Sequence, residues 1–209
     1  IDAEYYQPKF EFLIQKIKKN KINYLSDIVK IDKSIEPGSE FYIEKGIPFV
    51  RVSDINKFGI ADAKVYLSPE YFSNVIFPKK DTILFSKDGT CGIAYKCEED
   101  RNIITSSALL HLTKKDNVNI DIDYLSLVLN SQIVQMQAER DAGGSVIKHW
   151  SIPQIEQVLI PILEESIQST LGNKVRESFS LRKSSMELFK IAQSTVEIAI
   201  EKDELTALN

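Results

Sequence analysis

The stretch EESIQSTLGNKVRESFSLRKSSMELFKIAQSTVEIAIEKD, Glu164 to Asp203, decides the architecture. It holds no Pro, and Gly172 is its only Gly. Apolar residues recur at helical steps: Ile167, Leu171, Val175, Phe179, Met186, Phe189, Ala192, Val196 and Ile200. That period is an amphipathic α-helix, roughly 60 Å long if unbroken. No compact domain cut from 209 residues covers such a stripe along its whole length. The helix is therefore expected to act as a spacer or to pair with another long helix. Ile167, Leu171, Val175, Phe179, Met186, Phe189 and Val196 are the expected dimer or subunit interface.

Upstream of the helix the chain alternates short helices and short strands. Residues 3–19 read as one helix, with Asp2 placed to cap it and Pro8 early in it. Tyr24 to Val29 is a helical turn running into a strand. Gly46-Ile47-Pro48 launches the strand Phe49-Val50-Arg51-Val52, and Ser53 to Gly59 reads as a loop. Pro69 to Asn74 has the composition of a helical turn. Thr82 to Ser86 and Cys91 to Tyr95 flank Lys87-Asp88-Gly89-Thr90, a β-hairpin signal because Asp-Gly tolerates positive φ. Ile103 to Thr105 and Ala108 to Leu112 supply more strand, and Asp123 to Arg140 has helical periodicity. Gly143-Gly144-Ser145 is a loop. Ser151 to Gln154 is a capping box, leading to the strand Val158-Leu159-Ile160 and the stop at Pro161. The expected class is α+β: a compact domain of short, mostly antiparallel strands and flanking helices over residues 1–162, then the long helix over 163–209.

Composition is that of an ordinary globular chain, 43% hydrophobic and 27% charged, with no transmembrane-length apolar run. A cytoplasmic protein without membrane contact is expected. The start Ile1-Asp2-Ala3 is neither an initiator Met nor a signal peptide, so the chain reads as a fragment of a longer polypeptide. Cys91 and Cys97 fit no zinc spacing and read as free thiols on a strand. His111 lies in an apolar run and reads as a strand residue, so no metal and no cofactor are expected. The net charge of −4 argues against a strongly basic nucleic-acid binder but leaves a local basic face open.

Catalytic constellations are scarce. There is no Walker-type loop and no nucleophile elbow. Asp121 and Asp123 precede a helix, where acids suit the dipole. Asp54 with Asp62-Ala63-Lys64 is too short a pattern to mark a nuclease. What remains is polar residues on turns: Arg51 and Ser53, Lys87 and Thr90, Ser106-Ser107, and the loop Gly143 to Trp150. Such loops are either solvated turns or a surface offering donors to phosphates and base edges.

In order, Leu25 to Val29, Gly46 to Ile55, Lys80 to Ser86 with Asp88-Gly89-Thr90, Tyr124-Leu125 with Leu129-Asn130-Ser131, Gly143 to Ser145, Ile152 to Pro161 and Glu164 to Ile167 resemble the target recognition domain of type I restriction–modification specificity subunits. Almost the whole chain is covered. The departure lies at Ile162-Leu163 and Ser166, where the family usually carries a further Pro and a Gln. The resemblance implies a non-catalytic reader of double-stranded DNA that takes one half-site through Arg51, Ser53, Lys87, Thr90, Ser107, Ser145, Lys148 and His149. Lysines would hold phosphates, while the hydroxyls, Arg51 and His149 would read bases. It also implies a homodimer or pseudo-dimer through the long helix. Its partners would be methyltransferase subunits, which supply S-adenosylmethionine, and a restriction subunit. Two other readings fit the residues: the specificity region of a larger fused methyltransferase or endonuclease, and a coiled-coil adaptor with no DNA role.

Overall fold

In the computed structural model, residues 3–72, 75–142 and 148–201 are described. A 3-10 turn at Ala3–Tyr6 precedes α1 (Pro8–Ile17). The single helix expected over 3–19 is thus divided. Gln7 is extended, and Pro8 takes the first helical position, where its missing N–H forfeits no bond. There follow β1 (Ile22–Tyr24), α2 (Leu25–Ile28), β2 (Val29–Lys33), β3 (Tyr42–Ile43), β4 (Ile47–Val50), β5 (Ile55–Asn56), β6 (Gly59–Ile60) and β7 (Tyr66–Leu67). Next come β8 (Ile83–Ser86), β9 (Ala94–Lys96), β10 (Ile104–Thr105) and β11 (Leu109–Lys114). The chain continues through α3 (Ile122–Leu129), α4 (Gln132–Asp141), α5 (Ile152–Glu156), β12 (Leu159–Pro161) and α6 (Glu165–Glu201).

Two four-stranded sheets carry the domain. One is antiparallel, in the order β2-β11-β8-β9; the other runs β10-β4-β7-β3, with β10 parallel to β4. β1 pairs with β12, so the strand before α6 is fastened to the strand after α1. The main core joins the first sheet to α2, α3, α4 and α5 around Phe85, Tyr124 and Trp150, none more than 1% exposed. A separate cluster of Ile47, Phe49, Leu67 and Ile104 underlies the second sheet.

Several local expectations shift for identifiable reasons. The strand read through Val52 stops at Val50, because the Arg51 N–H donates to Asp54 Oδ2 at 2.9 Å and closes a 3-10 turn. The loop after it pairs as the hairpin β5-β6. The hairpin over 82–95 forms, but its second strand starts at Ala94 because Gly92 takes φ +88°. Cys91 therefore lies in the loop and Cys97 just past β9, both free thiols. The helix over 123–140 breaks at Asn130, whose side chain accepts from the Ala94 N–H and donates to the Ala94 carbonyl on β9. Of the helical turn expected over Pro69 to Asn74, residues 69–72 form turns without a helix, and residues 73 and 74 lie outside the described residues. The Ser151 capping box is present, with Gln154 Oε1 accepting from the Ser151 N–H at 3.1 Å.

α6 spans 37 residues, about 55 Å. Its first half docks on α3. Gly172 is buried there, and a Cβ on it would meet Asp121 Oδ1 at 2.4 Å. Asp121 caps α3 by accepting from the N–H groups of Asp123 and Tyr124. Gln168 accepts from the Asp121 N–H and donates to the Leu163 carbonyl. Arg176 reaches both Asp121 and Asp123, and Asp123 pairs with buried Lys96 of β9 at 2.7 Å. Burial pulls the Lys96 ammonium down, but the hydrogen bonds and charges of Asp123 and Glu98 outweigh it, and its pKa is raised.

Candidate nucleic-acid interface

The ends of four neighbouring strands gather the polar loops. The Ser106 N–H donates to the Val50 carbonyl at 2.9 Å, joining the turn after β10 to the turn after β4. The Lys87 N–H donates to the Ala108 carbonyl at 2.9 Å, and the Trp150 N–H to the Lys87 carbonyl at 2.8 Å. The Gly89 N–H closes on the Lys148 carbonyl at 2.9 Å. From the far side Ser34 Oγ donates to the Thr105 carbonyl at 2.6 Å, bringing in the segment after β2. Residues 34–36, 51–54, 87–92, 106–108 and 148–150 thus form one rim where the two sheets meet.

The side chains on this rim are held by one another. Ser53 Oγ donates to Asp54 Oδ1 at 3.0 Å, and Arg51 Nε stands 3.6 Å from Asp54 Oδ2. Ser107 Oγ donates to Glu36 Oε2 at 2.6 Å. Lys87, expected to reach phosphates, is instead 6% exposed, with its ammonium on Asp88 at 2.5 Å. The other oxygen of Asp88 receives Nδ1 of His149, whose ring is exposed. Thr90 and Lys148 are exposed and border a cleft completed by Gln135 and Glu139. Trp150, fully buried against Phe85, anchors the segment that carries Lys148 and His149. Ser145 lies outside the described residues.

Charge on the rim is balanced: Arg51, Lys87 and Lys148 stand among Glu36, Asp54 and Asp88. Sequence reading missed those three acids as parts of the site. Asp88 was legible as the acceptor in a Lys-Asp-Gly-Thr tip; Glu36 carried no signal, since it joins Ser107 only across 71 residues of chain. Cys91 donates its thiol to the Lys87 carbonyl, and burial with the Asp88 charge pushes its pKa up. Burial pushes the Cys97 thiol up to about 12. Among the described residues no three His, Cys, Asp or Glu side chains are grouped to hold a metal ion, and no helix is long and apolar enough to cross a membrane.

The expected interface residues divide between two environments. Leu171 packs on the main core, Phe179 packs on the cluster of Val50, Leu84 and Tyr95, and Val175 lines the groove between α6 and α3. Ile167, Met186, Phe189 and Val196 are exposed.

The profile of the type I restriction modification DNA specificity domain matches residues 9–172. The chain belongs to that family. No curated protein matches it. Among solved structures, the DNA specificity domain resembles a type I restriction-modification S subunit from M. genitalium, at 17% identity and TM-score 0.62 over 89% of this chain and 47% of that one. It also resembles the HsdS subunit from Thermoanaerobacter tengcongensis, at 16% identity and TM-score 0.54 over 94% and 52%. The type IIG restriction endonuclease BpuSI matches at 13% identity and TM-score 0.61, over 83% of this chain but 28% of that one. The chain thus spans about half the length of the specificity subunits it matches. The α+β fold of short strands with a long C-terminal helix is the fold of these subunits.

Proposed function

We propose that this chain is one target-recognition half of a specificity subunit, a reader of double-stranded DNA that performs no chemistry itself. The observation that carries the reading is the single rim into which the strand ends deliver Arg51, Ser53, Thr90, Ser107, Lys148 and His149. Residues 1–162 are the reading head and 163–209 the spacer helix. The head would face the major groove, where all four base pairs differ in their donors and acceptors. Ser145, beside this rim in sequence, belongs to the same proposed contact set.

The acids on the rim are occupied by their own neighbours, which suits them to orienting donors rather than to acid–base catalysis. Methylation with S-adenosylmethionine, and any cleavage, would fall to partner methyltransferase and restriction subunits. A rim with balanced charge holds few phosphates, so binding should lose less affinity to salt than that of a strongly basic reader. The second reading, the recognition region of a fused enzyme, is favoured by the likeness to a type IIG endonuclease. The sequence of the parent polypeptide separates the two.

The test is duplex binding by the specificity subunit assembled with its methyltransferase partners, followed across a salt series. Lys148→Ala should weaken all duplexes alike and flatten the log–log salt slope by about one unit. An unchanged slope and affinity would remove Lys148 from the footprint; no salt-sensitive binding by the wild-type assembly would end the reading.

A further inference from the structure

Lys87, Asp88 and His149 form a chain leading from the interior to the surface. The Lys87 side chain is 7% exposed, that of Asp88 25%, and the imidazole of His149 62%. Asp88 Oδ2 takes the Lys87 ammonium at 2.5 Å, while its Oδ1 faces His149 Nδ1. A carboxylate paired with an ammonium is ionised and only accepts hydrogen bonds. The nitrogen that meets it must therefore carry the proton. In a neutral imidazole this leaves Nε2 as an unprotonated acceptor. The backbone fixes the geometry as well: Asp88 and His149 form an antiparallel bridge, flanked by the Gly89–Lys148 and Trp150–Lys87 bonds. Gly89 at φ +68° lets the tip turn back onto that bridge.

We propose that His149 is a tautomer-set base reader: Asp88 holds the proton on Nδ1, and Nε2 accepts from the exocyclic amine of adenine or cytosine. The inference rests on the DNA-reading function proposed above and assigns its chemistry at one base pair. In the major groove only adenine N6 and cytosine N4 donate, whereas guanine and thymine present acceptors. An acceptor at Nε2 therefore favours an amine-bearing base and leaves guanine O6 or thymine O4 facing a lone pair. Asp88 is a positioning residue, acting through the ring. Buried Lys87 serves the same end by holding Asp88 Oδ2, which leaves Oδ1 to face the ring.

The test uses the full subunit with its methyltransferase partners and a randomised duplex library. Wild type should enrich a motif with adenine or cytosine at one position that His149→Phe relaxes by about five- to tenfold in relative affinity, the scale of one hydrogen bond. Asp88→Asn frees the ring to protonate Nε2 and should shift that position toward guanine or thymine. Because Asp88→Asn also strands Lys87, the Lys87→Met/Asp88→Asn double variant is run beside it and should show the same shift. Nitrogen NMR of the imidazole in the DNA-free chain provides an independent readout, expected to find Nδ1 protonated at neutral pH. A motif unaltered by His149→Phe, or a ring protonated on Nε2, overturns the proposal while leaving DNA reading intact. No enriched motif from wild type removes both.

Discussion

His111 shows how a titratable residue can serve structure. It sits in β11 opposite Asp32 and bonds Thr105 Oγ1 through Nε2 at 2.8 Å. Burial pushes its pKa down to about 4, against a smaller upward pull from Asp32. The folded value lies below that of the unfolded chain, so between the two the unfolded chain binds more protons. Stability from this group is whole above about pH 6.5 and is lost as pH falls toward 4, by about 3 kcal/mol in all. Urea midpoints at pH 7 and pH 5 should therefore separate more in wild type than in His111→Gln. Equal separations would show that His111 is not buried neutral. The apolar run 108–112 made His111 legible as a strand residue. The state of Lys87 was not legible: local sequence gives its loop but not the backbone bonds to Ala108 and Trp150 that hold it in place.

At the level of elements, α6 is fixed to the domain by close approach and by charge. Gly172 meets Asp121, and Asp121 has little room to retreat because it caps α3 and pairs with Arg176. Gly172→Ala gains about 1 kcal/mol of helix propensity. Forcing a Cβ to 2.4 Å from a held carboxylate should outweigh that, for a net loss of about 1–3 kcal/mol. A raised denaturant midpoint would mean that the helices do not touch there. The acid beside it separates buried from exposed charge. Asp123→Ala removes the buried partner of both Lys96 and Arg176 and leaves the Lys96 ammonium with Glu98 at 3.2 Å and Asp81 at 3.6 Å, so it should cost about 1.5–3 kcal/mol. Arg176→Ala removes a side chain that is 42% exposed and should cost about 1 kcal/mol or less. Comparable losses from the two variants would mean that Glu98 and Asp81 hold Lys96 without Asp123. The three- and four-residue steps made α6 legible. The break between α3 and α4 was not, because Asn130 reaches a strand 36 residues away.

For the molecule as a whole, the order of motifs conveyed the family, whereas the rim came from pairings no period encodes. Two-residue strands such as β10 leave no alternation to read, and β10 joins β4 across more than 50 residues. The same stripe that faces the domain through Leu171, Val175 and Phe179 continues uncovered through Met186, Phe189, Val196 and Ile200, each at least 57% exposed. We propose that such a surface, on a helix anchored at one end, pairs with a partner helix rather than with its own domain. Removing residues 186–209 takes away no side chain described as buried, so the head's unfolding free energy should move by less than about 0.5 kcal/mol. Self-association should vanish, because the uncovered stripe goes with the removed turns. Sedimentation equilibrium across a concentration series distinguishes the outcomes: a concentration-dependent mass in the full chain and a constant monomer mass in the shortened one. A shortened chain that still dimerises would place the contact on Ile167 or the head, and the spacer would then be set by the domain rather than by the rod.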